Sequence, residues 1–206
     1  MGHDLFRVTN RQPGFAVGQY RVVPRLTTPA PGFRIGLWGR YSFGAGRRWL
    51  VQPELSYSRS QSWHRVMNTA EMPAGAAPGS DFTALSTSQD WQRLNLALPL
   101  GYRLTRRLLV LGGPVLARRI PTGYERLDQG HALRIVESIN HSMRRTGLAW
   151  QAGVGYELGR VTLTARYERS LLRVARNIEL DGVQYPFRHF ASQVSFGAAL
   201  RVAPLR

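Results

Sequence analysis

Cysteine is absent from the 206 residues, and so is lysine. Without cysteine there is neither a disulfide framework nor a thiolate metal site. Without lysine, all 28 basic side chains are arginine, and only 12 Asp and Glu oppose them, leaving a formal net charge of +16. Such an excess attracts phosphate-bearing partners, whether nucleic acid, anionic lipid or lipopolysaccharide. No run of about 18 apolar residues exists, which excludes a transmembrane helix. The opening MGHDLFRVTNRQPG has no apolar stretch and no small-residue cleavage site, so it does not read as a secretory signal. Residues 1–13 carry no strand pattern and are expected to be flexible. His3, His64, His131, His141 and His189 are not spaced as ligands, so neither a metal nor a cofactor is expected. Gly153, Gly155 and Gly159 fall inside a strand pattern rather than ahead of a helix, which removes a nucleotide loop.

What the sequence has in quantity is period-two alternation. In GLWGRYSFGAGRRWLVQPELSYS, Leu37, Tyr41 and Phe43 share one parity and Arg40 and Ser42 the other. Past the GAGR break, Trp49, Val51, Leu55 and Tyr57 alternate with Gln52, Glu54, Ser56 and Ser58. The pattern recurs at 90–104, where Leu94, Leu96, Leu98, Leu100 and Tyr102 oppose Arg93, Asn95 and Arg103. It recurs again at 147–158, 161–170 and 190–202. Segments 15–23 and 108–119 are strand candidates of unclear phase. About eight strands result, within a single domain spanning 1–206 whose strands cover roughly 15–202.

Links between the strands alternate in length. GAGR, the TRR region and Gly159-Arg160 are short, whereas 24–31, 61–89, 120–146 and 174–189 are long. The Gly159-Arg160 pair suits a two-residue hairpin with glycine first. In an up-and-down barrel this pattern gathers the tight turns at one rim and the long loops at the other, as in outer-membrane barrels. Segment 61–89, rich in Ala, Gly, Ser and Thr, is expected to be mobile, and 131–139 reads either as a short helix or as a hairpin extension.

The polar parity decides which face is inside. It carries Arg40, Glu54, Arg93, Glu157, Arg166 and Glu168 among Gly and Ser. Facing lipid near the midplane, each arginine would cost roughly 2–4 kcal/mol. Facing inward, the arginines and glutamates can pair. The expected fold is therefore all-β: an eight-stranded antiparallel up-and-down transmembrane β-barrel with its apolar face outward. A soluble sandwich with a solvated polar face is the alternative. Glu54, Arg93, Arg166 and Glu168 are expected in one lumen network, with Arg40 and Glu157 nearer the turn rim.

The order GFRIGLWGRYSFGAGRRWLVQPELSYS, LNLALPLGYRL, GLAWQAGVGYELGRVTLTARYERSL resembles the PorT-like outer-membrane β-barrel proteins of Bacteroidota. The likeness rests on a QPEL-x-Y strand after a short turn, an L-x-L-P-L-x-x-Y strand and a G-x-G-Y-E-L-G hairpin, and covers about 15–202. It implies a small barrel of the OmpX and OmpA type in the bacterial outer membrane, reached with an export signal that this sequence does not contain. It also implies a non-enzymatic role, structural or interactive, with links to protein secretion in some members.

Partners follow from these readings: outer-membrane lipid and lipopolysaccharide, a protein partner through loops 61–89 and 120–146, no nucleic acid, and a monomeric state. Two other classes stay open. A lipid A hydrolase could be assembled from His189, Ser192 and either Asp181 or Glu179, although no strained nucleophile turn marks them. A nucleic-acid binder would use the pairs Arg47-Arg48, Arg106-Arg107, Arg118-Arg119 and Arg144-Arg145, but the chain has no basic helix or aromatic sheet motif to support it.

Overall fold

The computed structural model describes residues 2–10, 15–17, 20–24, 30–68, 84–121, 131–180, 182–185 and 189–202. Its strands are β1 (Gly2–Asn10), β2 (Phe15–Val17), β3 (Tyr20–Pro24), β4 (Ala30–Trp38), β5 (Tyr41–Phe43), β6 (Trp49–Val51), β7 (Glu54–Asn68) and β8 (Ala84–Ala97). There follow β9 (Leu100–Arg103), β10 (Leu108–Ile120), helix α1 (His131–Ser142), β11 (Thr146–Leu158), β12 (Val161–Ser170), β13 (Ile178–Leu180), β14 (Val183–Tyr185) and β15 (His189–Leu200). The chain is all-β apart from α1 and a short 3-10 turn at Ala45–Arg47. Its strands form a curled antiparallel sheet, with β13 and β14 as a separate two-stranded ribbon.

Consecutive long strands pair in sequence: β4 with β7, β7 with β8, β8 with β10, β10 with β11, β11 with β12 and β12 with β15. β1 pairs with β15 from Gly2↔Gly197 to Asn10↔His189, and with β4 from Gly2↔Arg34 to Phe6↔Ala30. This differs from the expectation of a flexible start with the first strand at 15–23. GHDLFRVTN sets Leu5 on one parity and Phe6 and Val8 on the other, so no period-two signal marks it. Backbone pairing on both edges makes it a strand regardless. The 15–23 segment instead splits into β2 and β3, and β3 pairs with the far end of β7 from Tyr20↔Asn68 to Pro24↔His64.

Three strands are interrupted at neighbouring points: at Gly39-Arg40 between β4 and β5, at Gln52-Pro53 between β6 and β7, and at Leu98-Pro99 between β8 and β9. Proline has no N–H to give a ladder, so single bonds carry the register across. Gly39 donates to the Pro53 carbonyl at 3.0 Å, Gln52 to that of Pro99 at 3.0 Å and Leu98 to that of Pro114 at 3.2 Å. Gly113 faces this crossing. A Cβ there would lie 2.6 Å from the Leu98 oxygen and 2.7 Å from the Pro99 Cα, so the strands approach only because the residue is glycine.

The tight turns follow their sequences. Leu158↔Val161 closes β11 onto β12 over Gly159, whose φ is +60°, while Arg160 is not in the left-handed region, as a type II′ turn requires. Gly44 and Gly46 take φ of +78° and +65° in the GAGR turn.

The long links are shorter than expected. The β7–β8 ladder continues out to Met67↔Ala84, so much of 61–89 is strand, and residues 69–83 lie outside the described residues. Backbone pairing persists there although QSWHRVMN shows no sustained alternation for a sequence reading to use. Within 120–146, residues 122–130 lie outside the described residues and His131–Ser142 is the helix α1. The 174–189 link holds the β13–β14 hairpin. α1 packs on this hairpin: Ile135, Ile139, Met143, Ala175 and Ile178 are buried, and the Ser138 hydroxyl donates to the Glu179 carbonyl at 2.6 Å.

Candidate functional site: a charged network on the concave face

Alternation assigns each side chain its side of the sheet. Leucine and aromatic side chains face out. Leu37 is 79% exposed, Leu96 55% and Trp150 50%, and Ile35, Leu55, Leu94, Leu98, Leu116, Val154, Phe196 and Leu200 are exposed with them. Gln52, Ser58, Ser60, Arg93, Asn95, Gln151, Glu157, Thr162, Glu168 and Gln193 are buried. The apolar members of the concave face are few. Leu50, Leu109 and Leu111 pack together toward the tight-turn end, where Gly101 and Gly155 leave them room, and Ala97, Val115 and Ala149 pack mid-sheet.

All six residues singled out from the sequence lie on this face, in ion pairs. Glu168 accepts from Arg34 at 2.9 Å and from Arg93 at 3.1 Å. Arg93 also donates to Gln193. Arg166 donates to Glu54 at 2.5 Å. Glu157 accepts from Arg40, from Arg201 at 3.2 Å and from Arg103 at 3.5 Å. Gln52 links two of these groups: its carbonyl accepts from the Arg40 Nε and Nη2 at 2.9 and 2.7 Å, and its amide donates to Glu54 at 2.5 Å.

The grouping differs from the expected one. Glu54 and Arg166 connect through Gln52 to Arg40 and Glu157, while Arg93 and Glu168 form a second group with Arg34. Among the described residues, six guanidinia share three carboxylates. Arg40 also lies 4.8 Å from the centre of the Trp38 ring, a cation–π contact. Gln52, Arg103, Gln193 and Arg201 were read on the polar parity but not named in the network, and Arg34 was missed. Parity alone identifies them, since each shares the phase of a charged residue already named on its strand or of the buried polar set.

One cavity of about 40 Å³ is lined by Trp91, Arg93, Arg119, Arg145, Glu168 and Ser192 among others. A second, of about 100 Å³, lies among Arg34, Arg40, Glu54, Arg166, Thr164 and Gly197.

Two of the hydrolase candidates lie among the described residues. Ser192 is half-buried on β15 and Glu179 is exposed on β13. Asp181 and the His189 side chain lie outside the described residues. Among the described residues, no three His, Asp or Glu side chains gather as a metal site, and no helix is long and apolar enough to cross a membrane. Comparison with protein-family models, with curated proteins and with solved structures finds no match.

Proposed function

We propose that this chain is a non-enzymatic outer-membrane β-barrel protein of the PorT-like kind, in which eight strands enclose the charged network and the long loops carry its interactions. The eight are β1, β4–β5, β6–β7, β8–β9, β10, β11, β12 and β15. The carrying observation is the inversion of polarity: leucines and aromatics cover the outside while arginine–glutamate pairs fill the inside. In water that arrangement wastes its apolar surface, and in lipid it satisfies both faces.

The dimensions support the reading. On β11 the exposed series Leu148, Trp150, Ala152, Val154, Tyr156, Leu158 spans about 33 Å along the strand at ~3.3 Å per residue. A tilt of about 40° makes that roughly 25 Å of apolar height. Tyr41, Phe43 and Trp49 stand exposed at the tight-turn edge of this band, with Trp49 edge-on to Tyr102 at 5.0 Å. Aromatic side chains take that position at a membrane interface. The pairing of β1 with both β4 and β15 supports a wall without free edges.

Purified in detergent, the protein is expected to migrate differently in gels before and after boiling, with a β-rich circular dichroism spectrum. A compact, monodisperse monomer without detergent would overturn the proposal. Lipid A from cells with and without the protein is expected to be identical, and loss of an acyl chain dependent on Ser192 would overturn the non-enzymatic part.

A further inference from the structure

At the long-loop end, three chain segments are stitched side by side by backbone bonds. Arg119 donates to the Arg145 carbonyl at 2.7 Å, Arg144 to that of Val174 at 2.9 Å and Arg176 to that of Ser142 at 2.7 Å. Arg118 stands opposite Thr146 in the β10–β11 ladder, and Met143 bridges to Ala175. These bonds bring Arg118, Arg144, Arg145, Arg173 and Arg176 onto one rim, and all five are exposed. None of the five forms an ion pair with a described residue, in contrast to the concave face, where every glutamate is taken. Directly below, Leu116, Leu148, Leu171 and Leu172 are exposed, with Leu171 held to the sheet by its bond to the Leu148 carbonyl at 2.8 Å.

Five exposed guanidinia with no described carboxylate partner, set side by side on hydrogen-bonded backbone above a leucine surface, match an amphiphile whose head is phosphorylated and whose tails are acyl chains. Guanidinium forks bind phosphate oxygens in pairs, and the leucines offer the tails a surface continuous with the membrane band. We infer that this rim is a binding site for a phosphate-bearing lipid of the surrounding leaflet, held by Arg118, Arg144, Arg145, Arg173 and Arg176. The inference rests on the outer-membrane reading above. At the other rim, Arg47 and Arg48, Arg106 and Arg107, and Arg160 are exposed on three separate turns.

The test uses the whole protein in detergent micelles, titrated with bisphosphorylated lipid A and followed by native mass spectrometry. A triple variant Arg144→Ala, Arg145→Ala, Arg173→Ala is expected to bind about tenfold more weakly or worse, and Arg106→Ala with Arg107→Ala to stay close to the parent. Lipid A stripped of its phosphates is expected to lose binding to the same degree, and inorganic phosphate at matched concentration to compete poorly. Equal lipid A affinity in parent and triple variant would overturn the site, and full competition by inorganic phosphate would overturn the lipid as its ligand. Boiling-dependent gel migration of each variant separates these outcomes from failure of the membrane reading itself, which would abolish that migration in the parent as well.

Discussion

Glu168 is 5% exposed and sits between the guanidinia of Arg34 and Arg93. Removing one member of a buried ion pair strands the others in a low dielectric, at about 3–5 kcal/mol. Glu168→Gln is therefore expected to destabilise the protein strongly, and adding Arg93→Gln to recover part of the loss, in urea unfolding followed by tryptophan fluorescence in lipid vesicles. A second variant that is no better than the first would refute the pairing. Glycines give a sharper contrast. Gly113→Ala drives a Cβ into the backbone of Leu98 and Pro99, which have no side-chain freedom to yield, whereas a Cβ at Gly147 meets nothing within 4 Å. The first substitution is expected to cost about 1–3 kcal/mol and the second to be close to neutral, in the same unfolding assay.

Among the elements, the ones legible in the sequence are those whose two faces meet different media. The run Leu94, Leu96, Leu98, Leu100 against Arg93 and Asn95 spells out its faces because the leucines are exposed on one side of the sheet and the polar side chains are buried on the other. Elsewhere backbone pairing makes strands that no alternation announces. The outer half of β7, SWHRVMN, pairs with β8 as far as Met67↔Ala84 without any alternation, and β1 is equally silent. The interior network was half legible: parity named Glu54, Arg93 and Glu168, but which carboxylate meets which guanidinium depends on strand stagger, which no local pattern encodes. The helix α1 was one of two readings of 131–139, and its choice depends on the β13–β14 hairpin against which it buries Ile135 and Ile139. The element-scale prediction uses the exposed face. Leu96→Arg is expected to cost about 2–4 kcal/mol in lipid vesicles, while the same change in a sheet with a solvated outer face would cost almost nothing. A negligible loss would therefore contradict lipid contact at β8.

For the molecule as a whole, the contents of the interior decide transport. Among the described residues, the concave face carries arginine–glutamate pairs, three clustered buried leucines and cavities of about 40 and 100 Å³. An eight-stranded barrel is just wide enough to be filled by side chains. Reconstituted in planar bilayers, the protein is expected to give no steady conductance at moderate voltage, and a stable open level would contradict the packed interior.

The neighbourhood of β1 and β15 carries a consequence in time. Gly2 stands opposite Gly197, so two stretches 195 residues apart in the sequence must find each other. Loop-closure entropy is spent before such a distant pairing returns anything. Until β15 arrives, β1 and β12 each present an unpaired backbone edge, the kind of edge that recruits other chains. Assembly is thus expected to wait on β15 rather than to proceed outward from β1. A chain ended before His189 would keep most of its ladder partners, yet it is expected to aggregate and show no boiling-dependent gel shift. Addition of β15 as a separate peptide is expected to restore only a small fraction, because the tether that raises its local concentration is gone.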